Sequence, residues 1–548
     1  MTGRREFIGG AVAASACGVL AGEKPVLRVG IVTDTHVKET RKSCERMELA
    51  YKLFRKIGVD MIVNCGDIAD KFYPAGYAHY SAIRRETYPD AKTAPREEYV
   101  FAYHDIIDFP GDVEKTPLAA FPKVKELLGI THEVYDRFVM GGFEFLVFPQ
   151  HLDFSRYEAD IAAACAANPG KPVFVFDHVP PLGTTQNSNV WGCGRRRKIL
   201  SRFPQVVNIC GHAHGSLRHG RNIWQGEFTS VSIGCLATWS EEVVGKRPPP
   251  CPNWSCVVMD IYGDRAVFRR FELADGSEID PDAPWTVRWP YVPSAAPYAP
   301  EHRRAEIAPP QFPEGAAISL SCDGEPYSHL RVKFPSAANG DTALKYALGV
   351  SVREADGSWR DVAVRETMGE YHLPREKRGA TLEDEIPSSY FDAGRTYRFA
   401  LKPIDFWGGE GRAIEAEWTA PAAKAARRIW EGVPTQAKEA PDGVVEIVGP
   451  VMLPFAEEVW KDIPAKAKVR LTIDMRLEQK DRRGVNFLLQ SRPDKKRVFG
   501  QVCTPSGVTD LRYSVEFSYV AAKGPYDLYF RQGDPAKVLF HRIAIDLV

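Results

Sequence analysis

Carboxylate and imidazole side chains recur in short clusters along the N-terminal half of the chain. The clusters are Asp34 with His36, Asp67 with Asp70, His104 with Asp105, His178, and His212 with His214. Two-metal hydrolytic sites use such ligands, including one carboxylate that bridges both cations. A cation pair neutralises a phosphate ester and activates a water near neutral pH. The clusters therefore favour a metal centre that hydrolyses phosphate esters.

Each cluster follows a short run of strand-forming residues. Such runs lie at 26–32, 61–63, 99–101, 173–176 and 206–209. Between the first two runs, apolar residues recur at helical spacing from Met47 to Ile57 and stop at Gly58, which predicts a helix. In α/β sheets the carboxyl ends of strands open into a shared crevice. We therefore expect an α/β domain at about residues 25–280, closed by a hairpin over 256–271.

The motifs occur in the order of a known family. The pattern Asp34-x-His36, Gly66-Asp67-x-x-Asp70, His104-Asp105, His178 and Gly211-His212-x-His214 resembles that of the calcineurin-like metallophosphoesterases. The resemblance covers about residues 26–275. It implies an α/β (α+β) fold of two β-sheets flanked by helices. It also implies a hydrolase that acts on phosphoric ester bonds.

The same resemblance assigns roles to the clustered residues. It implies two divalent metal ions (Mn, Fe or Zn), of which the first would be held by Asp34, His36 and His214, and the second by His178 and His212. Asp67 would bridge both ions. His104 would be a proton donor or phosphate contact, and Asp70 would orient a histidine. The nucleophile would be a metal-activated hydroxide, so no covalent Ser or Cys is required.

One position departs from the family pattern. Where the family has Gly-Asn-His-Asp, this chain has Ala102-Tyr103-His104-Asp105, so Tyr103 replaces an Asn that ligates the second metal. A phenol binds a hard cation only after it loses a proton with an ordinary pKa of about 10. Three alternatives stay open. Tyr103 is a surrogate ligand, another group takes the place of the Asn, or the second metal site is weak.

The segment from Gly183 to Arg197 lies between His178 and the Gly-His-x-His motif and is a candidate to overhang the site. Asn187 and Arg195 are the substrate-binding candidates there, because an arginine suits a phosphoryl group through paired hydrogen bonds. The alternative, which the pattern favours, is that residues 195–198 form the solvated first turn of a helix that continues through Ile199 and Leu200.

Length and charge limit the other functions. A chain of 548 residues is too long for one hydrophobic core, so we expect two or three domains. The 71 basic and 71 acidic residues cancel, which argues against bulk nucleic acid as a partner. The expected partner is a small phosphate ester, or a phosphorylated glycan or lipid. Oligomeric state is not predicted.

Residues 1–22 resemble a twin-arginine export signal. Arg4-Arg5 precede Phe7-Ile8 and a small-residue run, and residues 14–16 offer a cleavage site. This predicts a periplasmic or extracellular protein. A lipid anchor at Cys17 is the alternative.

The C-terminal half is predicted to be all-β. A Pro-rich linker or strap spans 281–313, a fibronectin type III-like sandwich spans 314–422, and a jelly-roll-like sandwich spans 426–548. Trp407, Trp430 and Trp460 would be either sugar-stacking platforms or core residues, of which core is the more common.

Two functions are consistent with these features. The leading hypothesis is an exported phosphoesterase that hydrolyses a phosphomonoester or phosphodiester. The alternative is a phosphoesterase domain that has lost catalysis through the change at Tyr103 and acts as a glycan- or surface-binding protein.

Overall fold

The computed structural model of the 548-residue chain describes residues 23–110, 117–131, 133–237, 254–322, 329–337, 340, 342–421, 427–455, 458–461, 463–479, 486–496, 502–503, 507–521, 524–532 and 536–547. The predicted export signal and the alternative lipid-anchor site at Cys17 lie outside these residues. None of the described helices combines the length and apolar character needed to cross a membrane.

The strands of the N-terminal half form two mixed β-sheets. In chain order they are β1 Leu27–Val32, β2 Met61–Asn64, β3 Arg96–Tyr99, β4 Asp136–Met140, β5 Phe143–Val147, β6 Val173–Phe176, β7 Val206–Cys210, β8 Ile223–Gln225, β9 Thr229–Ser232, β10 Ser255–Ile261, β11 Arg265–Glu272, β12 Glu278–Ile279 and β13 Trp285–Arg288. The first sheet has the order β12-β11-β10-β1-β2-β3, with β13 paired to β11. The second has the order β4-β5-β6-β7-β9-β8.

Parallel pairing brings the ends of the site-bearing strands to one edge of each sheet. β1, β2 and β3 are parallel neighbours, and so are β5, β6, β7 and β9. The predicted hairpin is present as antiparallel β10 and β11. The third run is shifted from the prediction, because β3 ends at Tyr99 rather than continuing through Phe101.

The main core lies between the two sheets. Val29 and Val63 from the first sheet belong to the same buried cluster as Phe174 and Ile209 from the second. Alternate residues of the first sheet, such as Val32, pack on the opposite face under helices. The strands are therefore buried on both faces, which explains their nearly continuous apolar runs.

The described residues of the N-terminal half form seven α-helices, five of which cover the outer faces of the two sheets. In chain order they are α1 Glu45–Ile57, α2 Pro74–Thr87, α3 Pro117–Leu128, α4 Phe154–Ala167, α5 Ser188–Trp191, α6 Gly194–Leu200 and α7 Pro300–Glu306. Helix α1 ends as predicted at Gly58, which adopts φ 77° and donates its backbone N–H to the Phe54 carbonyl at 2.9 Å. Helices α1 to α3 pack on the first sheet, and α4 and α6 on the second.

Part of the predicted linker is built into the N-terminal domain. β13 pairs with β11 through Trp285 to Arg288, and α7 follows. The part of 281–313 that contains β13 is therefore not a free linker. The alternative prediction, a strap across the surface, describes it better. Apolar side chains explain the difference, because Trp285 and Val287 are buried in the main core.

A β-sandwich follows the N-terminal domain. Its strands are β14 Ser319–Cys322, β15 His329–Pro335, β16 Lys345–Arg353, β17 Trp359–Met368, β18 Thr381–Pro387, β19 Thr396–Ile404 and β20 Ile414–Thr419. They form the sheets β14-β15-β18 and β17-β16-β19-β20. Leu330 and Val332 from one sheet share a buried core with Tyr346 and Phe399 from the other.

A second β-sandwich forms the C-terminal part. Its elements are β21 Arg427–Gly432, α8 Thr435–Glu439, β22 Val444–Ile447, β23 Val451–Pro454, α9 Glu458–Lys461, β24 Lys468–Gln479, β25 Asn486–Ser491, β26 Val502–Cys503, β27 Gly507–Ser518, β28 Tyr526–Gln532 and β29 Ala536–Leu547. One sheet has the order β21-β29-β24-β27, with β22 beside β29, and the other has the order β23-β28-β25-β26.

The three tryptophans that were candidates for sugar stacking pack as core residues instead, which was the alternative prediction. Trp407 and Trp460 are buried, and Trp430 packs partly buried against the core of the second sandwich. Trp407 lies in a cluster with Phe406 and with Cys235 of the N-terminal domain. These side chains stabilise packing within and between domains and present no broad face to a ligand.

Candidate metal centre

The clusters that are distant in sequence converge at the carboxyl ends of β1, β2, β6 and β7. Among the described residues, the ligand atoms of three groups lie within 4.8 Å of one another. The first group is Asp34, His36 and His214; the second is Asp67, His178 and His212; the third is His36, Asp67 and His104. The first two groups have the same composition as the two ligand sets that the family resemblance implied.

Asp67 joins the two ligand sets. Its Oδ2 lies 3.1 Å from His178 Nε2 and 3.8 Å from His36 Nε2. Within each set the imidazoles also approach closely, since His36 Nε2 lies 3.3 Å from His214 Nε2, and His212 Nδ1 lies 3.2 Å from His178 Nε2. One carboxylate thus reaches both groups of nitrogen ligands, as a bridging ligand must.

Five of these residues have an unusual backbone conformation. Asp34, His36, Asp67, His212 and His214 all have positive φ angles, between 43° and 65°. Non-glycine residues rarely adopt this left-handed region, and each case costs about 1–3 kcal/mol. Such outliers cluster at functional sites, because the surrounding fold must hold them in place. Their concentration on the candidate ligands is the pattern expected of a functional site.

Hydrogen bonds fix the orientation of Asp34. Its Oδ2 accepts from Thr33 Oγ1 at 2.8 Å and from the backbone N–H of His212 at 2.9 Å. Its Oδ1 faces the imidazoles instead, 3.1 Å from His214 Nε2. Gly211 is required for this contact, because a Cβ there would lie 1.9 Å from Thr33 Oγ1 and 2.6 Å from Asp34 Oδ2. The glycine of Gly-His-x-His is thus explained by close packing.

His178 is oriented by the backbone. It is fully buried, and its Nδ1 donates to the Cys65 carbonyl at 2.8 Å, which leaves Nε2 facing Asp67. A Cβ on Gly66 would lie 2.6 Å from the same Nδ1, and Gly66 has φ 104°, so only glycine fits there. Metal-ligating histidines are commonly fixed by such a bond through the other ring nitrogen.

The electrostatics of the crevice favour positive charge. Burial lowers the pKa of His178, but the carboxylate of Asp67 outweighs this and raises it to about 9. Burial likewise lowers the pKa of His214, yet Asp34 holds it well above its ordinary value. For His212, burial and the neighbouring His178 lower the pKa to about 4. The carboxylates of Asp67 and Asp34 thus favour the charged forms of His178 and His214.

The loop that carries His104 is held against the Asp67 loop. The backbone N–H of His104 donates to Asp67 Oδ1 at 3.2 Å, and its Nδ1 donates to the Asp70 carbonyl at 2.9 Å. The carboxylate of Asp70 lies 3.4 Å from His36 Nδ1, where it can orient that imidazole. Both residues thus lie beside the ligand sets, and the roles predicted for them stay predictions.

Asp105 connects the loop that carries Asp67 to the loop that carries His104 through hydrogen bonds. It is fully buried; its Oδ1 accepts from the Ala69 N–H at 3.0 Å and its Oδ2 from the Ala102 N–H at 2.9 Å. Burial, followed by the charge of Asp67, raises the pKa of Asp105 to about 7. Asp105 therefore positions the loops that carry Asp67 and His104.

Asn187 and Arg195, the substrate-binding candidates, lie in different environments. Asn187 is buried, and its Nδ2 donates to the Ala213 carbonyl at 2.9 Å, between the two histidines of the Gly-His-x-His motif. Arg195 is exposed on α6, and its guanidinium lies 4.6 Å from the centre of the Phe154 ring. Asn187 can thus support the histidine loop, while a substrate contact by either residue stays a prediction.

Sequence reasoning missed a buried ion pair directly behind His178. Arg196 was expected to be solvated but is only 4% exposed, and its Nε lies 2.9 Å from Asp177 Oδ2. Tyr157 donates its hydroxyl to the same oxygen at 2.9 Å. Burial raises the pKa of Asp177, and Arg196 opposes that shift. The only signal in the sequence was that a carboxylate, Asp177, directly precedes His178. The partner of Asp177, Arg196, lies on another element, α6.

The donor atoms fit divalent metal ions. Each of the first two groups supplies one carboxylate and two imidazoles, which suit ions such as Mn, Fe and Zn. Asp34, His36 and His214 would hold one ion, His178 and His212 would hold the other, and Asp67 would contact both.

Tyr103 lies at the edge of this centre. Its side chain is 45% exposed, its ring packs edge-on against His151 at 6.2 Å between centroids, and its backbone N–H donates to Gln150 Oε1. A half-exposed phenol has water as a competing partner, and it must lose a proton to bind a cation. A metal contact by its oxygen therefore stays a prediction.

We expect Tyr103→Asn to raise affinity for the second metal ion by roughly tenfold, or about 1.4 kcal/mol, because a neutral amide oxygen can ligate without losing a proton. Competition titration with a metal-sensitive dye measures this change. Tyr103→Phe is the matched control, and it should leave affinity unchanged. If Tyr103→Phe weakened the second ion instead, the phenol oxygen would be a ligand.

Part of the N-terminal half is similar to a known protein family. Residues 27–216 match the family model of the calcineurin-like phosphoesterases. The matched residues lie in the N-terminal half, which has a mixed α/β fold and is followed by all-β sheets. No curated protein matches the chain significantly.

Similar solved structures are distant. A dimetal phosphatase from Danio rerio is 12% identical, with a TM-score of 0.34, over 49% of this chain and 100% of that chain. A β-glucuronidase from Bacteroides uniformis is 11% identical, with a TM-score of 0.20, over 96% of this chain and 66% of that chain. An exo-β-1,3-galactanase from Phanerochaete chrysosporium is 11% identical, with a TM-score of 0.15, over 53% of this chain and 78% of that chain.

Proposed function

We propose that this chain is an exported phosphoesterase that uses two divalent metal ions to hydrolyse a phosphomonoester or phosphodiester. The observation that carries the proposal is the position of Asp67, whose Oδ2 lies 3.1 Å from His178 Nε2 and 3.8 Å from His36 Nε2. One carboxylate between two sets of imidazoles is the arrangement that a shared cation pair requires. The match of residues 27–216 to the phosphoesterase family supports the same reaction.

The ligand residues and His104 have different roles in the proposed hydrolysis. Bound divalent ions neutralise phosphate charge and lower the pKa of water. Asp34, Asp67 and the four histidines of the first two groups hold and orient these ions. His104 donates from Nδ1 to the Asp70 carbonyl, so its Nε2 is the atom that would touch the phosphate. Neutral His104 can only accept a hydrogen bond at Nε2, whereas its imidazolium form donates a proton to the leaving group.

Export and the roles of the β-sandwiches are further parts of the proposal. The Arg4-Arg5 pair and the small-residue run after it support export. In the first sandwich, Tyr397 Oη accepts from the Asp392 N–H at 2.7 Å, as in the tyrosine corner of immunoglobulin-like folds, which supports the fibronectin type III likeness. We propose that this sandwich braces the segment that follows the Gly-His-x-His motif, because His219 packs against Phe406 at 4.5 Å and Tyr371 at 5.4 Å.

Reconstitution of metal-depleted protein tests the proposed reaction. Full-length protein is loaded with Mn, Fe(II) or Zn, and turnover of 4-nitrophenyl phosphate and bis(4-nitrophenyl) phosphate is measured against bound metal. We expect turnover to appear only as the second ion binds. Two bound ions without turnover of either ester would contradict hydrolysis. One bound ion, no turnover and retention on a glycan array would favour the glycan-binding alternative.

A further inference from the structure

Two exposed aromatic side chains flank the candidate metal centre. Of the Phe, Trp and Tyr side chains that the structure describes, only those of Tyr103 and Trp191 are exposed, at 45% and 55%. Tyr103 precedes His104, and Trp191 lies on the segment between His178 and His212. An exposed aromatic ring offers a flat apolar face on which the ring of a ligand can stack.

Trp191 is placed directly beside a candidate metal ligand. Its ring meets the ring of His212 at 6.2 Å between centroids, with an interplanar angle of 90°. This is an edge-to-face contact, and it leaves much of the indole exposed. Trp191 is therefore within reach of the organic group of an ester whose phosphate lies at the metal ions.

The segment that carries Trp191 is held tightly. Thr184, Thr185, Gln186, Asn187 and Ser188 are all buried. Thr184 donates its backbone N–H to Ser188 Oγ at 2.9 Å, and Ser188 Oγ donates to the Thr185 carbonyl at 2.6 Å. The Gln186 N–H donates to the Arg221 carbonyl at 3.1 Å. The ring is thus exposed on a preorganised support rather than on a loose loop.

Close packing continues at Gly192, the residue that follows Trp191. A Cβ on Gly192 would lie 2.2 Å from the Ser188 carbonyl oxygen and 2.7 Å from Leu182 Cα. The segment cannot accept even one more carbon atom at that position without shifting. Since the loop is ordered before a ligand arrives, little conformational entropy is left to lose on binding.

We infer that Trp191 determines substrate specificity by stacking on a planar ring in the organic group of the phosphate ester. The inference rests on the proposed function, because it needs the phosphate at the metal ions. It assigns the substrate to esters with an aryl group or nucleobase near the phosphate, rather than to esters of small aliphatic alcohols. A stacking contact on an exposed indole tolerates different rings, because it needs only a flat face.

Binding of two non-hydrolysable phosphonates tests this role without turnover. Full-length protein loaded with Mn²⁺ is titrated calorimetrically with phenylphosphonate and with methylphosphonate, which share the phosphonate group and differ in the ring. We expect wild-type protein to bind phenylphosphonate about tenfold more tightly. Trp191→Ala should abolish this preference and change methylphosphonate affinity less than about twofold, whereas Trp191→Phe should keep most of the preference.

The outcomes separate this inference from the proposed function. Val139→Ala removes another exposed apolar side chain, on β4, and should leave both affinities unchanged. A phenyl preference that survives in Trp191→Ala would overturn the stacking role alone. An equal loss of affinity for both phosphonates would also overturn it, because Trp191 would then only support His212. Failure of wild-type protein to bind either phosphonate would overturn the proposed function together with the inference.

Discussion

Replacing Asp67 with Asn is expected to lower kcat for a phosphate ester by about a thousandfold or more, which corresponds to about 4 kcal/mol of transition-state stabilisation. The substitution keeps the shape of the side chain but removes the charge that lies between His178 and His36. Without that charge, the two ions lose their common ligand and repel each other more strongly. Steady-state kinetics at saturating metal, together with metal counting, measures the effect.

Asp70→Asn is the matched control for this substitution. Asp70 is three residues away, its side chain is 35% exposed, and it faces His36 Nδ1 at 3.4 Å rather than the shared position. Groups that orient a ligand typically contribute 10- to 100-fold in affinity or activity. We therefore expect a loss in that range for Asp70→Asn. Equal effects of the two substitutions would contradict a bridging role for Asp67.

Arg196→Met is expected to destabilise the protein by about 3–5 kcal/mol, because it leaves the carboxylate of Asp177 buried without its charged partner. Asp177 is fully buried, and besides Arg196 it is contacted by the Tyr157 hydroxyl. Urea unfolding followed by fluorescence measures the change in the free energy of unfolding. Since Asp177 directly precedes His178, we also expect weaker binding of the second ion.

Two variants control for the loss of the arginine itself. Arg195→Met removes the neighbouring guanidinium, which is exposed over Phe154, and should cost no more than about 1 kcal/mol. Adding Asp177→Asn to Arg196→Met should recover part of the lost stability, because no buried charge then remains unpaired. A free energy of unfolding for Arg196→Met within about 1 kcal/mol of the wild-type value would contradict a large contribution of the buried ion pair to stability.

The sequence predicted the features that depend on local pattern. The helical spacing from Met47 to Ile57 and the stop at Gly58 correspond to α1, because an amphipathic period and a left-handed C-terminal residue leave few alternatives. The grouping of Asp34 with His36 and His214 came from the family resemblance and from the placement of each residue after a strand. Parallel strands with a common direction then bring those ends together.

Features that depend on tertiary contacts could not be predicted in the same way. The run of arginines at 195–197 has the composition of a solvated turn, and only the packing of α6 against α4 buries Arg196 beside Asp177. Strand β13 was not predicted within the Pro-rich stretch 281–313. A four-residue strand pairs through its backbone and leaves only a weak pattern of apolar residues in the sequence. Exposure of Trp191 is likewise a property of the folded loop, whereas a tryptophan in sequence favours burial.

The most direct test of the metal centre is an anomalous-scattering map of crystals soaked in Mn²⁺, recorded above and below the manganese absorption edge. The proposed arrangement predicts two peaks about 3.5–4 Å apart, with Asp67 contacting both, Asp34 and His214 at one, and His178 and His212 at the other. A single peak, or two peaks too far apart to share Asp67, would contradict a cation pair at the ends of these strands.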